Sequence, residues 1–205
     1  MTVIPQHKLE TRQFRELKPF EVRSEKENES GFIVEGYAMK FEPYPYYEDE
    51  EGTVFEEFRK DAFKNADMSD IIFLYDHQGK VLARGTNGTL TVTFDDIGML
   101  IRADLSKSAA ARELYYEIKE GLVTKMSWSF RTGEYHFSKE TRTIVHDSIK
   151  KVYDVSAVGI PANNDTVINA RKFINGVIDE FQTERFEERK RKLLLKIKLQ
   201  GELNG

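Results

Sequence analysis

Short apolar or alternating runs, separated by turn-forming residues, fill most of the chain up to about residue 165, which is the pattern of a β-rich domain. The run from Gly31 to Phe41, GFIVEGYAMKF, is rich in β-branched and aromatic residues and predicts a strand with glycine relief at Gly36. Next comes EPYPYYEDEEG, whose prolines and acids predict a solvated loop. FEEFRKDAF (55–63) is expected to begin extended and turn helical, with Phe55, Phe58 and Ala62 on one face. IIFLY (71–75) is continuously apolar, as a buried strand is. LTVTF and MLIRADL flank Asp95-Asp96-Ile97-Gly98, a hairpin signal with Gly98 placed to take positive φ.

One helix is well marked, over about 107–120. Ser106 or Ser108 can cap it, Ala111, Leu114, Tyr115, Ile118 and Leu122 form its stripe, and Gly121 can end it. TKMSWSFRTGEYHF (124–137) and TRTIVHD (141–147) predict a second hairpin across Ser138-Lys139-Glu140, and VYDVSAVGI (152–160) a last core strand ended by Pro161. The first 30 residues are charged and weakly patterned, which predicts a mobile arm. After Asn164 the character changes, with Phe173, Ile174, Val177, Ile178 and Phe181 on one helical face and a charged stretch beyond it. The expected organisation is an arm over 1–30, a β domain over 31–165 and a charged helical tail over 166–205, suited to docking, to dimerisation or to removal.

Composition narrows the chemistry. The chain has 205 residues, 40% of them hydrophobic, enough to fill a core. A formal charge of −4 gives no reason to expect nucleic acid or an anionic membrane as partner. No apolar run approaches the roughly 20 residues needed to span a bilayer, and the N-terminus lacks a signal-like stretch. With no cysteine there is no thiol nucleophile, disulfide or thiolate metal site. These features together predict a cytoplasmic protein.

Three residues stand out. On the strand KMSWSFRT, Met126, Trp128 and Phe130 point one way and Lys125, Ser127, Ser129 and Arg131 the other. Periodicity alone leaves open whether this polar face is solvated surface, and does not choose between Ser127 and Ser129. His77, in LYDHQGK, stands where an apolar strand meets a glycine turn, a rigid but reachable mount for a base, or simply a polar cap. Asp154 shares a face with Val152, Ser156 and Val158, where a carboxylate is costly unless paired or at an edge. A nucleophile, a base and an orienting acid are the parts of a serine hydrolase.

Their order and context resemble the prohead (capsid maturation) proteases of tailed bacteriophages. VEGYAMKF (34–41), FEEFRKDAF (55–63), LYDHQGKVLARG (74–85), MSWSF (126–130) and DVSAVGIPAN (154–163) carry the resemblance, over about residues 30–170. It implies an α+β, mostly β fold, a β-barrel like that of the herpesvirus assembly proteases with flanking helices. Carried over residue by residue, it implies Ser127 as nucleophile, His77 as base and Asp154 as third member. Two departures stand in the motifs: Gln78 follows the histidine where the family often has an acid, and Ser129 occupies a position usually held by glycine. Ser129 is therefore the alternative nucleophile, and His146 the alternative third member, by analogy with the second histidine of the herpesvirus enzymes. Arg131 is a candidate for the substrate or oxyanion region.

The resemblance further implies a serine endopeptidase that cleaves major capsid protein, scaffold and itself, without metal or organic cofactor. It would act as a homodimer in the bacterial host cytoplasm, inside the phage procapsid, encoded by a phage or prophage. Two rivals are weighed against it. One is a non-catalytic procapsid scaffold or core protein that keeps the fold. The other is a metal-dependent hydrolase built on Asp76, His77, His136 and His146, none of which shows metal-ligand spacing.

Overall fold

The computed structural model describes residues 12–16, 23–24, 31–49, 51–159, 187 and 190–192. The chain divides into two compact units, residues 1–166 and 167–205. In the second, Glu187 and residues 190–192 are helical. The expected apolar face from Phe173 to Phe181 lies outside the described residues, as does most of the expected arm.

The first unit is mostly β. Its strands are β1 (Gln13–Glu16), β2 (Arg23–Ser24), β3 (Ile33–Lys40), β4 (Tyr44–Asp49), β5 (Gly52–Phe58), β6 (Ile72–Tyr75), β7 (Gln78–Arg84), β8 (Leu90–Phe94), β9 (Gly98–Asp104), β10 (Lys125–Thr132), β11 (Tyr135–Ser138), β12 (Thr143–His146) and β13 (Ile149–Val158). They form three sheets, ordered β1-β10-β13-β6-β7, β11-β12-β5-β4 and β2-β3-β9-β8. The β13–β6 and β12–β5 pairs are parallel and the other pairs antiparallel. The barrel expected from the resemblance does not close among the described residues, because no ladder joins the edges of one sheet to the next.

Trp128 and Phe130 of β10, Phe58 of β5 and Phe63 fill the core behind the first sheet. Trp128 and Phe130 stack at 4.2 Å between centroids, and Phe58 meets their edges at 5.0 and 5.2 Å. Each is buried, so this cluster carries much of the apolar area removed from water. The single α-helix of this unit's described residues, α1 (Ala109–Lys119), starts at Ser108, whose hydroxyl accepts from Ala111 N at 3.1 Å. Ala111, Leu114, Tyr115 and Ile118 face the core, whereas Leu122, expected in the same stripe, falls beyond the helix and is exposed.

Four local expectations need correction. EPYPYYEDEEG is largely strand: Pro43 precedes β4 and Pro45 is tolerated because β4 is an edge strand, where a missing N–H costs little. Phe55 and Phe58 do not share a face, since the segment stays extended to Phe58 and turns 3-10 helical only at Lys60–Phe63. Gly98 does not have positive φ. Its requirement is close approach, because a Cβ there would collide with the Met39 carbonyl across the β3–β9 ladder. Finally, residues 13–16 of the expected arm are a strand, paired with β10.

Candidate active site

The site is built on the face of the first sheet where β10, β13 and the β6–β7 turn meet. In β10 a period of two sends Trp128 into the core and Ser127 and Ser129 to the opposite face. Neither serine is solvated decoration: both are buried. The β10–β13 ladder sets Ser127 opposite Ser156 and Ser129 opposite Asp154, so two strands deliver three hydroxyls and one carboxylate to one patch.

His77 arrives from the other side. Tyr75 pairs with Gln78, and Asp76-His77 form the two-residue turn between β6 and β7, with φ of 48° and 57°. Positive φ at both turn residues is the hairpin geometry that matches strand twist, but glycine or asparagine usually supplies it. Here an imidazole is held on the turn, and the Asp76 carboxylate accepts from Gly159 N at 3.2 Å, tying the turn to the end of β13. The parallel β13–β6 pairing then brings the turn over Ser127 and Asp154.

The resulting contacts are continuous. His77 Nε2 lies 2.6 Å from Ser127 Oγ, and His77 Nδ1 lies 2.5 Å from Asp154 Oδ1. An ionised carboxylate only accepts, so Nδ1 carries the hydrogen and Nε2 presents its lone pair to the Ser127 hydroxyl. Ser156 Oγ donates to Asp154 Oδ1 at 2.8 Å and stands 3.1 Å from His77 Nδ1. Ser129 Oγ and the Arg12 guanidinium both donate to Asp154 Oδ2. Burial pushes the Asp154 carboxyl up, but the hydrogen bond and charge of His77, with the Ser129 and Ser156 hydroxyls, outweigh it and hold the group below its ordinary value.

The structure therefore brings Ser127, His77 and Asp154 together and leaves the other candidates elsewhere. Ser129 touches the carboxylate. His146 lies in the core, where Nε2 donates to Glu56 at 2.8 Å and Nδ1 accepts from Thr132 Oγ1 at 2.7 Å. Arg131 makes no hydrogen bond to Ser127, His77 or Asp154, and its Nε is buried without a partner. The four residues weighed for a metal do not converge: His136 pairs with Asp147 at 2.5 Å, His77 with Asp154 and His146 with Glu56. Among the described residues no group of His, Cys, Asp and Glu could hold a metal ion.

Sequence reasoning missed Ser156, Arg12 and Glu56. Ser156 was recoverable, since it shares the Asp154 face at i+2. Arg12 carries no local signal, because only the β1–β10 pairing brings it 142 positions along the chain to Asp154. Glu56 is fully buried beneath the first sheet, held by Arg15 at 2.5 and 2.8 Å, by His146 and by the Tyr44 hydroxyl. Burial raises its carboxyl, but Arg15 and His146 outweigh that and bring it to about 2. Burial likewise lowers His146 and keeps it neutral, against the pull of Glu56.

Both groups have folded values below their unfolded ones, so each contributes stability at neutral pH that is lost on acidification. For His146 the loss begins as pH falls through the ordinary value of 6.5. For Glu56 it runs from 4.5 down to about 2, amounting to about 2 kcal/mol by about pH 3. Urea midpoints across pH 7 to 3 are expected to fall accordingly, and Glu56→Gln is expected to flatten the lower part of that curve.

A hydrogen-bonded serine, histidine and aspartate on the polar face of a β sheet is the arrangement of the serine hydrolases. The family model for the caudovirus prohead serine protease matches residues 18–178. The chain belongs to that family, a family of serine peptidases that act in phage capsid maturation. Comparison with curated proteins and with solved structures gives no significant match. Among the described residues no helix is long and apolar enough to cross a membrane.

Proposed function

We propose that this protein is a serine endopeptidase that cleaves capsid protein and scaffold, and its own chain, inside the assembled procapsid in the host cytoplasm. The observation that carries the reading is the unbroken series Ser127–His77–Asp154, at 2.6 and 2.5 Å. Ser127 Oγ bonds to the carbonyl carbon of the scissile peptide while His77 Nε2 takes its proton. Asp154 holds the imidazole in the Nδ1–H tautomer and stabilises the imidazolium. Collapse of the tetrahedral species breaks the C–N bond, and His77 passes the proton to the leaving amine. A water then repeats the sequence on the acyl-serine and frees the enzyme. Ser129 and Ser156 keep Asp154 ionised and fixed, with Arg12 on the same carboxylate while β1 is in place.

The test is co-expression with the cognate major capsid protein and mapping of the termini that appear. New termini that vanish with Ser127→Ala support the proposal. A capsid protein that keeps its original termini alongside folded wild-type protein inside assembled shells would instead leave a non-catalytic shell component.

A further inference from the structure

Strand β1 lies where a substrate strand would lie. It pairs antiparallel with β10, the strand bearing Ser127, and forms the outer edge of that sheet. Without it, β10 would be an open edge, the kind of edge to which extended peptides add. The register sets Arg15 opposite Trp128 and Glu16 opposite Ser127. The Ser127 hydroxyl has the Arg15 carbonyl oxygen at 2.9 Å as a second acceptor, in competition with His77 Nε2 at 2.6 Å. The contact is to the carbonyl oxygen, with the hydroxyl donating. Attack needs Oγ over the carbonyl carbon, with the oxygen turned toward other donors. β1 therefore rests against the nucleophile without being in position to react.

The Arg15 side chain enters the space beneath the sheet. Its guanidinium meets both oxygens of Glu56 and lies 4.5 Å from the Tyr46 ring centroid and 5.4 Å from that of Phe130. Tyr44 and His146 occupy further acceptor positions on Glu56. This is a planar-cation site, with a carboxylate for the fork and aromatic faces for the plate. The region matching the family begins at residue 18 and so contains Glu56, Tyr44, Tyr46, Phe130 and His146 but not Arg15. Displacing β1 removes Arg15 from the fully buried Glu56 charge, a costly state that an arginine on an incoming strand relieves.

We infer that the Glu56 pocket is the specificity pocket for the residue on the acyl side of the cleaved bond, and that it selects arginine. Arg15 is its occupant in cis, and an incoming substrate strand takes the place of β1 on β10 with the carbonyl carbon of its arginine, rather than the oxygen, turned toward Ser127 Oγ. The inference rests on the proposed peptidase activity, with Ser127 as nucleophile. Arginine is favoured over lysine because only a fork reaches both carboxylate oxygens while stacking on a ring. Neutral and acidic side chains leave Glu56 unpaired or repelled.

The experiment uses the full chain and internally quenched peptides spanning the sequence RQFRELKPF, with the residue equivalent to Arg15 varied among Arg, Lys, Gln, Leu and Glu. A small fluorophosphonate, which needs no side-chain pocket, reports separately on Ser127. The expected profile is kcat/KM highest for Arg, about tenfold lower for Lys, and roughly 10³-fold or more lower for Gln, Leu and Glu. Arg15→Ala is expected to raise turnover of the Arg peptide several-fold by weakening the occupant in cis, and Glu56→Gln to narrow the Arg-to-Gln ratio about 100-fold. Should Glu56→Gln fail to fold, the wild-type profile decides alone. A labelled enzyme with no preference for Arg, or one that Arg15→Ala slows, overturns the pocket and leaves the peptidase standing. Absence of labelling in both wild type and Arg15→Ala overturns the peptidase reading, and the pocket with it.

Discussion

Ser127→Ala is expected to lower peptide cleavage by roughly 10⁴-fold or more, while Ser129→Ala is expected to stay within about tenfold of wild type. Both serines are buried on the same face of β10, two residues apart, and both replacements remove one hydroxyl. What separates them is the partner. Ser127 Oγ is 2.6 Å from His77 Nε2, whereas Ser129 Oγ donates to the Asp154 carboxylate. Losing Ser127 removes the atom that bonds to the substrate. Losing Ser129 removes one of several donors to an acid that keeps Ser156, His77 and Arg12. Turnover of a quenched peptide, with circular dichroism to check folding, measures the difference. The reverse ranking would move the nucleophile to Ser129.

Asp154→Asn is expected to cost about 10³- to 10⁴-fold in turnover with little change in fold. The asparagine amide can present N–H to His77 Nδ1, which favours the tautomer with hydrogen on Nε2 and leaves no lone pair for the Ser127 proton. Ser129 and Arg12 would still donate to the remaining amide oxygen, whereas Ser156 would lose its acceptor. His146→Ala is expected to behave in the opposite way. It opens a cavity beside Phe58, whose ring stacks on the imidazole at 4.5 Å, and takes a donor from Glu56. Stability should fall by about 2–4 kcal/mol, with turnover of the folded enzyme changed only a few-fold. If His146→Ala abolished turnover and Asp154→Asn did not, the third member would be a histidine.

The strands around the site were legible where one face is apolar and the other polar. KMSWSFRT separates its core residues from its serines by the period of two alone, and of the two serines that could cap α1 it is Ser108 that does so. The loop expected at EPYPYYEDEEG shows what composition misreads. Prolines and acids signal a loop only when the backbone must also serve a neighbour, and β4 is an edge strand that has just one. The patterning leaves Ser127 and Ser129 undecided, and it is the order of the motifs, resembling the prohead proteases, that singles out Ser127, His77 and Asp154. What brings them within hydrogen-bond distance is the β10–β13 ladder and the parallel β13–β6 pairing, and neither is encoded in a local window. The same holds for β1. Its residues lack strand patterning because their pairing and the Arg15–Glu56 contact, 41 positions apart, come from tertiary structure.

The parallel pairing of β13 with β6 also sets a schedule. Asp154 and Ser156 lie on the last strand of the sheet to be synthesised, and the turn bearing His77 is anchored by hydrogen bonds to Ala157 O and from Gly159 N. A nascent chain halted before β13 has its serine and its histidine but neither the acid that orients the histidine nor the ladder that fixes their separation. Pairings this distant in sequence form late, after the loop entropy between them has been overcome. The hydrogen-bonded series is thus a property of the finished sheet. Translation through Gly159 is the earliest moment at which it can exist, and a ribosome-bound fragment ending sooner carries no assembled site.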